Sequence, residues 1–254
     1  MSTKSTHSLQ DRISFIHALE LEPAPPQLAS RLATTSSSKV EEAYVDDGSI
    51  VSFVSTVSTK ARQDVLNSTL LAQLAANKAY DRQSDPMGWY GYYVDVMGVV
   101  GWPMQGYKFS NRQLQTNSFT VDQELIKFLS NFLPGARLNI VQAAIDSLKL
   151  LQKKDDATFR MFERETHNER QGNFQISCAT ETNGAVAMSL SAMLLDSKES
   201  ITRLFWTTYT STNMKLSVSS QDVTLNHDIY DAVRDSVVQK LGANAVAYLK
   251  NLEI

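Results

Sequence analysis

The sequence predicts an α/β fold of the α+β type: a single domain with a mostly antiparallel sheet in the C-terminal half, covered by helices. Three observations lead there. Phe174–Leu195 alternates in side-chain character with period two on either side of Asn183-Gly184, the strongest short signal for a two-residue hairpin turn. Arg137–Lys153 places Leu138, Val141, Ile145, Leu148 and Leu151 on one helical face, and Lys60–Tyr80 does the same with Val65, Leu66, Leu70 and Leu74. No repeat, low-complexity tract or sharp compositional boundary interrupts the 254 residues, a length that one large domain accommodates.

The elements follow in order. Residues 1–38 read as an N-terminal helical arm and 39–254 as the domain. The polar first eight residues are expected to be disordered. Asp11–Leu21 has Ile13 and Ile16 at helical spacing, and Pro23 is expected to end that helix. Gln27–Ala33 reads as a further helical turn and Thr34–Ser38 as a loop. Gly48–Ser58 is β-branched and serine-rich, a strand. Ser58 or Thr59 caps the helix Lys60–Tyr80, and Asp85-Pro86 supplies a capping carboxylate and a first-turn proline for the next. That next segment, Met87–Trp102, carries Trp89, Tyr92, Tyr93, Val96, Val99 and Val100 as a wide apolar face, with Gly101 as its stop. Trp102–Ser110 is expected to be an edge strand holding Pro103. Thr120-Val-Asp-Gln123 has a capping-box pattern opening a helix to Leu133. Ala157–Thr166 is read as a strand, with a helical reading in competition. Beyond the hairpin, Ile201–Thr210 and the stretch around Met214, Leu216 and Val218 read as strands. Asn226 caps a helix that Gly242 ends, and Ala243–Leu249 is a last helical segment.

Composition narrows the function classes. Apolar residues make up 43% and charged residues 20% of the chain, enough for an ordinary core. A net charge of −3 gives no electrostatic footprint for nucleic acid. No apolar run approaches the ~18 residues of a membrane span, and no secretory signal is evident. Ser2 excludes N-myristoylation. The expectation is a protein that stays in its producer's cytoplasm or leaves without a signal peptide.

The chemistry-bearing candidates are few. Cys178 is the lone cysteine, so no internal disulfide forms. On the hairpin it shares a strand face with Phe174, Ile176 and Thr180. The return strand places Val186, Met188 and Leu190 together on one face, and the thiol is expected to point toward that apolar side. Two readings stay open. A buried cysteine commonly acts as a small hydrophobe; a reactive one acts as a nucleophile or acylation site and needs a cationic or basic neighbour. His167 and His227 are the candidate bases, neither at a diagnostic spacing. The motifs of zinc and calcium sites are missing, so no metal is expected. Glycine-rich phosphate cradles and the GxSxG elbow are missing too, so neither nucleotide binding nor that hydrolase class is supported. The pairs Asp46-Asp47 and Asp155-Asp156 read as solvated turns. The aromatic run Trp89–Tyr93 reads either as core or as a surface for a membrane interface.

The succession from Leu138 to Leu241 (long helix, FRMFERET strand, hairpin, two strands, helix), with the aromatic segment GWYGYYVDVMGVVGW before it, resembles the Evf family of bacterial virulence factors. More faintly it is similar to the cytolytic δ-endotoxins. The resemblance covers about residues 40–250. It implies an α/β fold whose single key cysteine, matched by Cys178, carries a thioester-linked palmitoyl chain in an apolar tunnel, in a protein that promotes colonisation of the insect gut. Phe174, Ile176, Val186, Met188, Leu190 and Leu148 would then line the tunnel. Fatty acid or acyl-CoA would be the partner, with no other cofactor. Burying sixteen carbons is worth ~0.8 kcal/mol per methylene, roughly 11 kcal/mol gross. The alternatives are a membrane-permeabilising cytolytic toxin, and an acyl-thioester transferase or hydrolase using Cys178 as nucleophile.

Overall fold

The computed structural model describes residues 8–23, 41–114, 117–242, 244–252 and 254. Its elements are α1 (Leu9–Ala18), β1 (Glu42–Asp46), β2 (Ser49–Phe53), α2 (Thr59–Ala79), α3 (Pro86–Val99), β3 (Ser110–Asn111) and β4 (Ser118–Phe119). Then come α4 (Val121–Leu129), α5 (Gly135–Lys153), α6 (Ala157–Thr166), β5 (Gln171–Thr182), β6 (Ala185–Ser197), β7 (Tyr209–Thr210), β8 (Met214–Thr224), α7 (His227–Leu241), α8 (Asn244–Tyr248) and β9 (Leu249–Leu252). The predicted fold class holds. A seven-stranded sheet runs β3-β8-β6-β5-β2-β1-β9, antiparallel except for the parallel pair β2–β5.

The β5–β6 hairpin is the centre of that sheet. Asn183 and Gly184 take φ of 51° and 80°, the double positive φ that a two-residue type I′ turn requires. The turn fixes the register, Thr182 opposite Ala185 and so on back to Gln171 opposite Asp196. Helices cover both faces of the sheet. Thr69 and Gln73 of α2 reach Asp46 and Tyr90 of α3 reaches Asn173, so these helices cover one face. Arg137 of α5 reaches Ser189, and Phe174 packs edge-on against Phe205, which stacks on Phe162 of α6; these lie on the other face. Both faces of β5 are therefore buried, including its polar positions. Asn173 is held by the Tyr90 hydroxyl and the Arg82 carbonyl, and Gln175 donates to the Tyr107 hydroxyl, which removes most of the cost of burying amides.

Local signals account for most helix ends. Ser58 caps α2 by accepting from the Ala61 N–H, Asp85 caps α3 with Pro86 in its first turn, and Asn226 caps α7. Arg234 of α7 makes a two-pronged ion pair with the nearly buried Asp64 of α2, at 2.8 and 2.7 Å, a geometry stronger than a single contact. Thr120 precedes α4 but makes no side-chain capping bond, and α4 ends at Leu129. The first helix ends at Ala18, well before Pro23, and packs on α7. The readings of Gln27–Ala33 and Thr34–Ser38 lie outside the described residues.

Three expected strands need correction. Ala157–Thr166 is helix α6: Asp156 caps it by accepting from the Thr158 N–H, and Phe159, Phe162 and Thr166 bury one helical face. Ile201–Thr210 is irregular apart from β7; its apolar Ile201, Leu204 and Phe205 are buried by packing, Phe205 among the aromatic rings of α6 and β5, rather than by a strand ladder. Of Trp102–Ser110, only Ser110 enters a strand, because Pro103 offers no N–H and Gly106 turns the chain at φ 86°. Three strands have no counterpart in the sequence reading: β1, joined to β2 through Asp47-Gly48, itself a hairpin signal, the short β4, which pairs with β7, and β9, which pairs with β1. The aromatic run is core, with Trp89, Tyr90 and Tyr93 at most 2% exposed. Among the described residues no helix is long and apolar enough to cross a membrane.

Candidate functional site

Cys178 sits in the middle of β5 and is 1% exposed. Directly paired residues share a sheet face. The row through the thiol therefore reads Ala43, Ser52, Cys178, Ser189, Asp222 across β1, β2, β5, β6 and β8. Its side chains are small, and the Ser52 hydroxyl is buried with no hydrogen-bond partner among the described residues. Above the row lies the first turn of α5, from which the half-buried Arg137 donates to Ser189 Oγ at 2.9 Å; Ser189 in turn donates to Asp222 at 2.5 Å. The row itself reaches solvent at the exposed Asp222, and toward the hairpin end the face opens at the half-buried Thr180. In the other direction it becomes apolar: Ile176, then Phe174, with Ile50 and Val45 beside them, under the helix that buries Val141, Ile145 and Leu148.

This register separates residues that the sequence reading grouped. Even-numbered positions of β5 pair with odd-numbered positions of β6, so Val186, Met188 and Leu190 stand opposite Glu181, Ala179 and Ser177. They project from the face opposite the thiol and cannot line a space that opens on it. Phe174, Ile176 and Leu148 remain on the thiol's side. The cause is the two-residue turn, which offsets the two apolar stripes to opposite faces.

Among the described residues neither candidate base is hydrogen-bonded to the sulfur. His167 ends α6, with its Nε2 3.2 Å from Glu163 and its Nδ1 3.0 Å from the Asn168 carbonyl. Although burial alone would depress it, those partners hold the imidazole above its usual value. It bridges to Gly172, six residues down the strand from Cys178, or ~20 Å at strand spacing. His227 opens α7 with Nε2 buried and unpartnered. Burial pushes the Cys178 thiol up to about 12; Arg137 opposes this and Glu41 adds to it. A thiol shifted in this direction carries less of the thiolate that acts as nucleophile.

A second cluster lies around the β1–β2 turn, at the end of the sheet away from the Asn183-Gly184 turn, and the sequence reading missed it. Asp46 and Asp47, expected to be solvated, are 0% exposed. The β1–β2 turn is tucked beneath Arg82, whose guanidinium lies 3.4 Å from Asp47 Oδ2, donates to the Gly48 carbonyl at 2.9 Å and to Gln73 at 3.1 Å, and covers the Trp89 ring at 4.3 Å. Gly48 makes this possible, since a Cβ there would fall 2.3 Å from Arg82 Nη1. Asp47, Glu22 and Glu165 bring carboxylate oxygens within 4.8 Å of one another. Asn77 donates to both Glu22 (2.7 Å) and Asp47 (3.0 Å), and Arg164 pairs with Glu165. Burial, then Asp47, raises Glu22; burial, then Asp47 and Glu22, raises Glu165 to about 7; burial raises Asp47 against the pull of Arg82. Three carboxylates at this spacing have the outline of a cation site, but Arg82 and Arg164 already supply the positive charge. No local motif marks these residues; only the Asp47-Gly48 dipeptide signals the turn that gathers them.

No protein-family model matches the sequence, and a comparison with curated proteins gives no significant match. Among solved structures, one described as a delta-endotoxin superposes with a TM-score of 0.41 at 11% identity, covering 80% of this chain and 89% of that one. The structure of the Evf virulence factor superposes with a TM-score of 0.37 at 12% identity, covering 95% and 89%. Likenesses this distant assign neither a family nor an activity.

Proposed function

We propose that this protein is a carrier of a fatty acyl group, thioester-linked to Cys178, rather than an enzyme that turns thioesters over, and that it serves as a bacterial virulence factor. The observation that carries the reading is the position of the sulfur. It stands between the small side chains of Ser52 and Ser189, with Ala43 one strand further out, two residues inside the half-buried Thr180. From there an apolar strip runs through Ile176 and Phe174 under α5. An acyl chain entering from the open end would lie along that strip.

The step balances simply. The Cys178 sulfur attacks the carbonyl of an acyl-CoA, the carbon–sulfur bond to CoA breaks, and the thiol proton leaves with the CoA thiolate. With the thiol's pKa raised and no imidazole hydrogen-bonded to it among the described residues, acylation is slow. Burial then keeps water from the thioester and makes the product long-lived.

Release of CoA from palmitoyl-CoA, followed over time, tests this reading. One equivalent per chain, lost in Cys178→Ser, is expected. Continuous release beyond one equivalent would establish an enzyme instead, and no release would remove the account.

A further inference from the structure

We propose that Glu22, Asp47 and Glu165 form a proton-operated latch that clasps the segment 8–23 to the body of the fold. The three residues come from distant parts of the chain: Glu22 follows α1, Asp47 occupies the β1–β2 turn, and Glu165 lies in the last turn of α6. Only the folded arrangement brings their oxygens within 4.8 Å. Glu22 is the arm's charged contact with this centre, reinforced by its N–H donating to the Leu74 carbonyl and by Tyr248 donating to the Pro23 carbonyl. Elsewhere the arm rests on Ile16 and Leu19, both buried, and on polar contacts of Arg12 with the end of α3 and of Lys240 with the His17 carbonyl.

Among the described residues the charges around the latch are few and opposed. From the turn come Asp46 and Asp47; from the loop after α2, Arg82; from α6, Arg164 and Glu165; from α8, the Tyr248 hydroxyl; α2 contributes the neutral Asn77 and Gln73. With every carboxylate ionised, four negative charges face two guanidiniums. One proton shared among Glu22, Asp47 and Glu165 relieves the repulsion inside the cluster.

The sign follows from linkage. A carboxyl whose folded value stands above its unfolded one binds its proton more tightly when the latch is closed. Closure is unpenalised below about pH 4.5 and weakens as pH rises through the raised values, Glu165 at about 7 among them. The arm is therefore held in mild acid and loosened in mild alkali, uncovering the apolar surface of α7 beneath Ile16 and Leu19.

Amide hydrogen exchange on the full chain tests the latch, with each rate corrected for intrinsic exchange at its pH. Protection of Leu9–Ala18 is expected to fall ~10-fold or more between about pH 5.5 and about pH 8.5 while β5 and β6 keep theirs. Glu22→Gln and Glu165→Gln, separately, are expected to flatten that dependence by holding a neutral side chain in the cluster. The Glu22 variant keeps the test available if the Glu165 variant does not fold. Unchanged arm protection, equal loss in the sheet, or a pH dependence that survives Glu22→Gln would overturn the proposal. So would restoration of protection at the higher pH by millimolar calcium or magnesium, which would mark a cation site.

Discussion

Cys178 lies opposite Ser189 across the central hairpin, while Met188 and Leu190 project through the other side of the sheet. The sulfur and the apolar stripe of β6 are thus separated by the thickness of a backbone. Leu190→Ala leaves a cavity on the α2 side and is expected to cost ~2–4 kcal/mol, measured by urea denaturation, without changing acyl loading of Cys178. Ile176→Glu, on the thiol's own face, is expected to abolish loading, because a charge there has no partner. Equal effects of both changes on loading would contradict the register argument.

The buried thiol makes a kinetic prediction. In the native protein at about pH 8, a thiol-specific disulfide reagent is expected to label Cys178 ~100-fold or more slowly than in denaturant, since both access and thiolate fraction are low. Labelling at the unfolded rate would mean the sulfur is neither covered nor held neutral.

Arg82 is expected to dominate the stability of the β1–β2 turn. Arg82→Met leaves Asp47 buried without its cation, at a cost of ~3–5 kcal/mol in chemical denaturation. Gly48→Ala drives a methyl into the guanidinium and is expected to cost ~1–3 kcal/mol. In an Arg82→Ala background the same glycine change should be nearly silent, and a double-mutant cycle reads the difference. Additive costs would show that Gly48 is needed for its backbone rather than for room.

Gly184 supplies the second positive φ of the hairpin turn. Gly184→Ala is expected to destabilise by ~1 kcal/mol or more through backbone strain alone, since open space surrounds a Cβ built there. A shift of the denaturation midpoint with an unchanged slope would show it.

Signals confined to a few residues were the legible ones. Asn183-Gly184, Ser58, Asp85-Pro86 and Asn226 each act through a neighbour three residues away or fewer, and each stands where the sequence places it. The errors arose where distant contacts decide. Phe159 and Met161 alternate as a strand would, but the Asp156 cap and the burial of Phe162 against Phe205 settle a helix. Leu204 and Phe205 mimic a strand while packing as plugs. The hairpin's facing was in fact computable, since a two-residue turn fixes which positions pair. The carboxyl cluster was not: Glu22, Asp47 and Glu165 have no common spacing, and only the folding of α1, β1–β2 and α6 around Arg82 brings them together.

Intact-mass measurement of the protein as purified from its producing cells bears on the acyl-carrier account most directly. The account predicts a fatty-acyl increment on Cys178 that neutral hydroxylamine removes and that Cys178→Ser never acquires. A bare-chain mass, unchanged by incubation with palmitoyl-CoA, would contradict it.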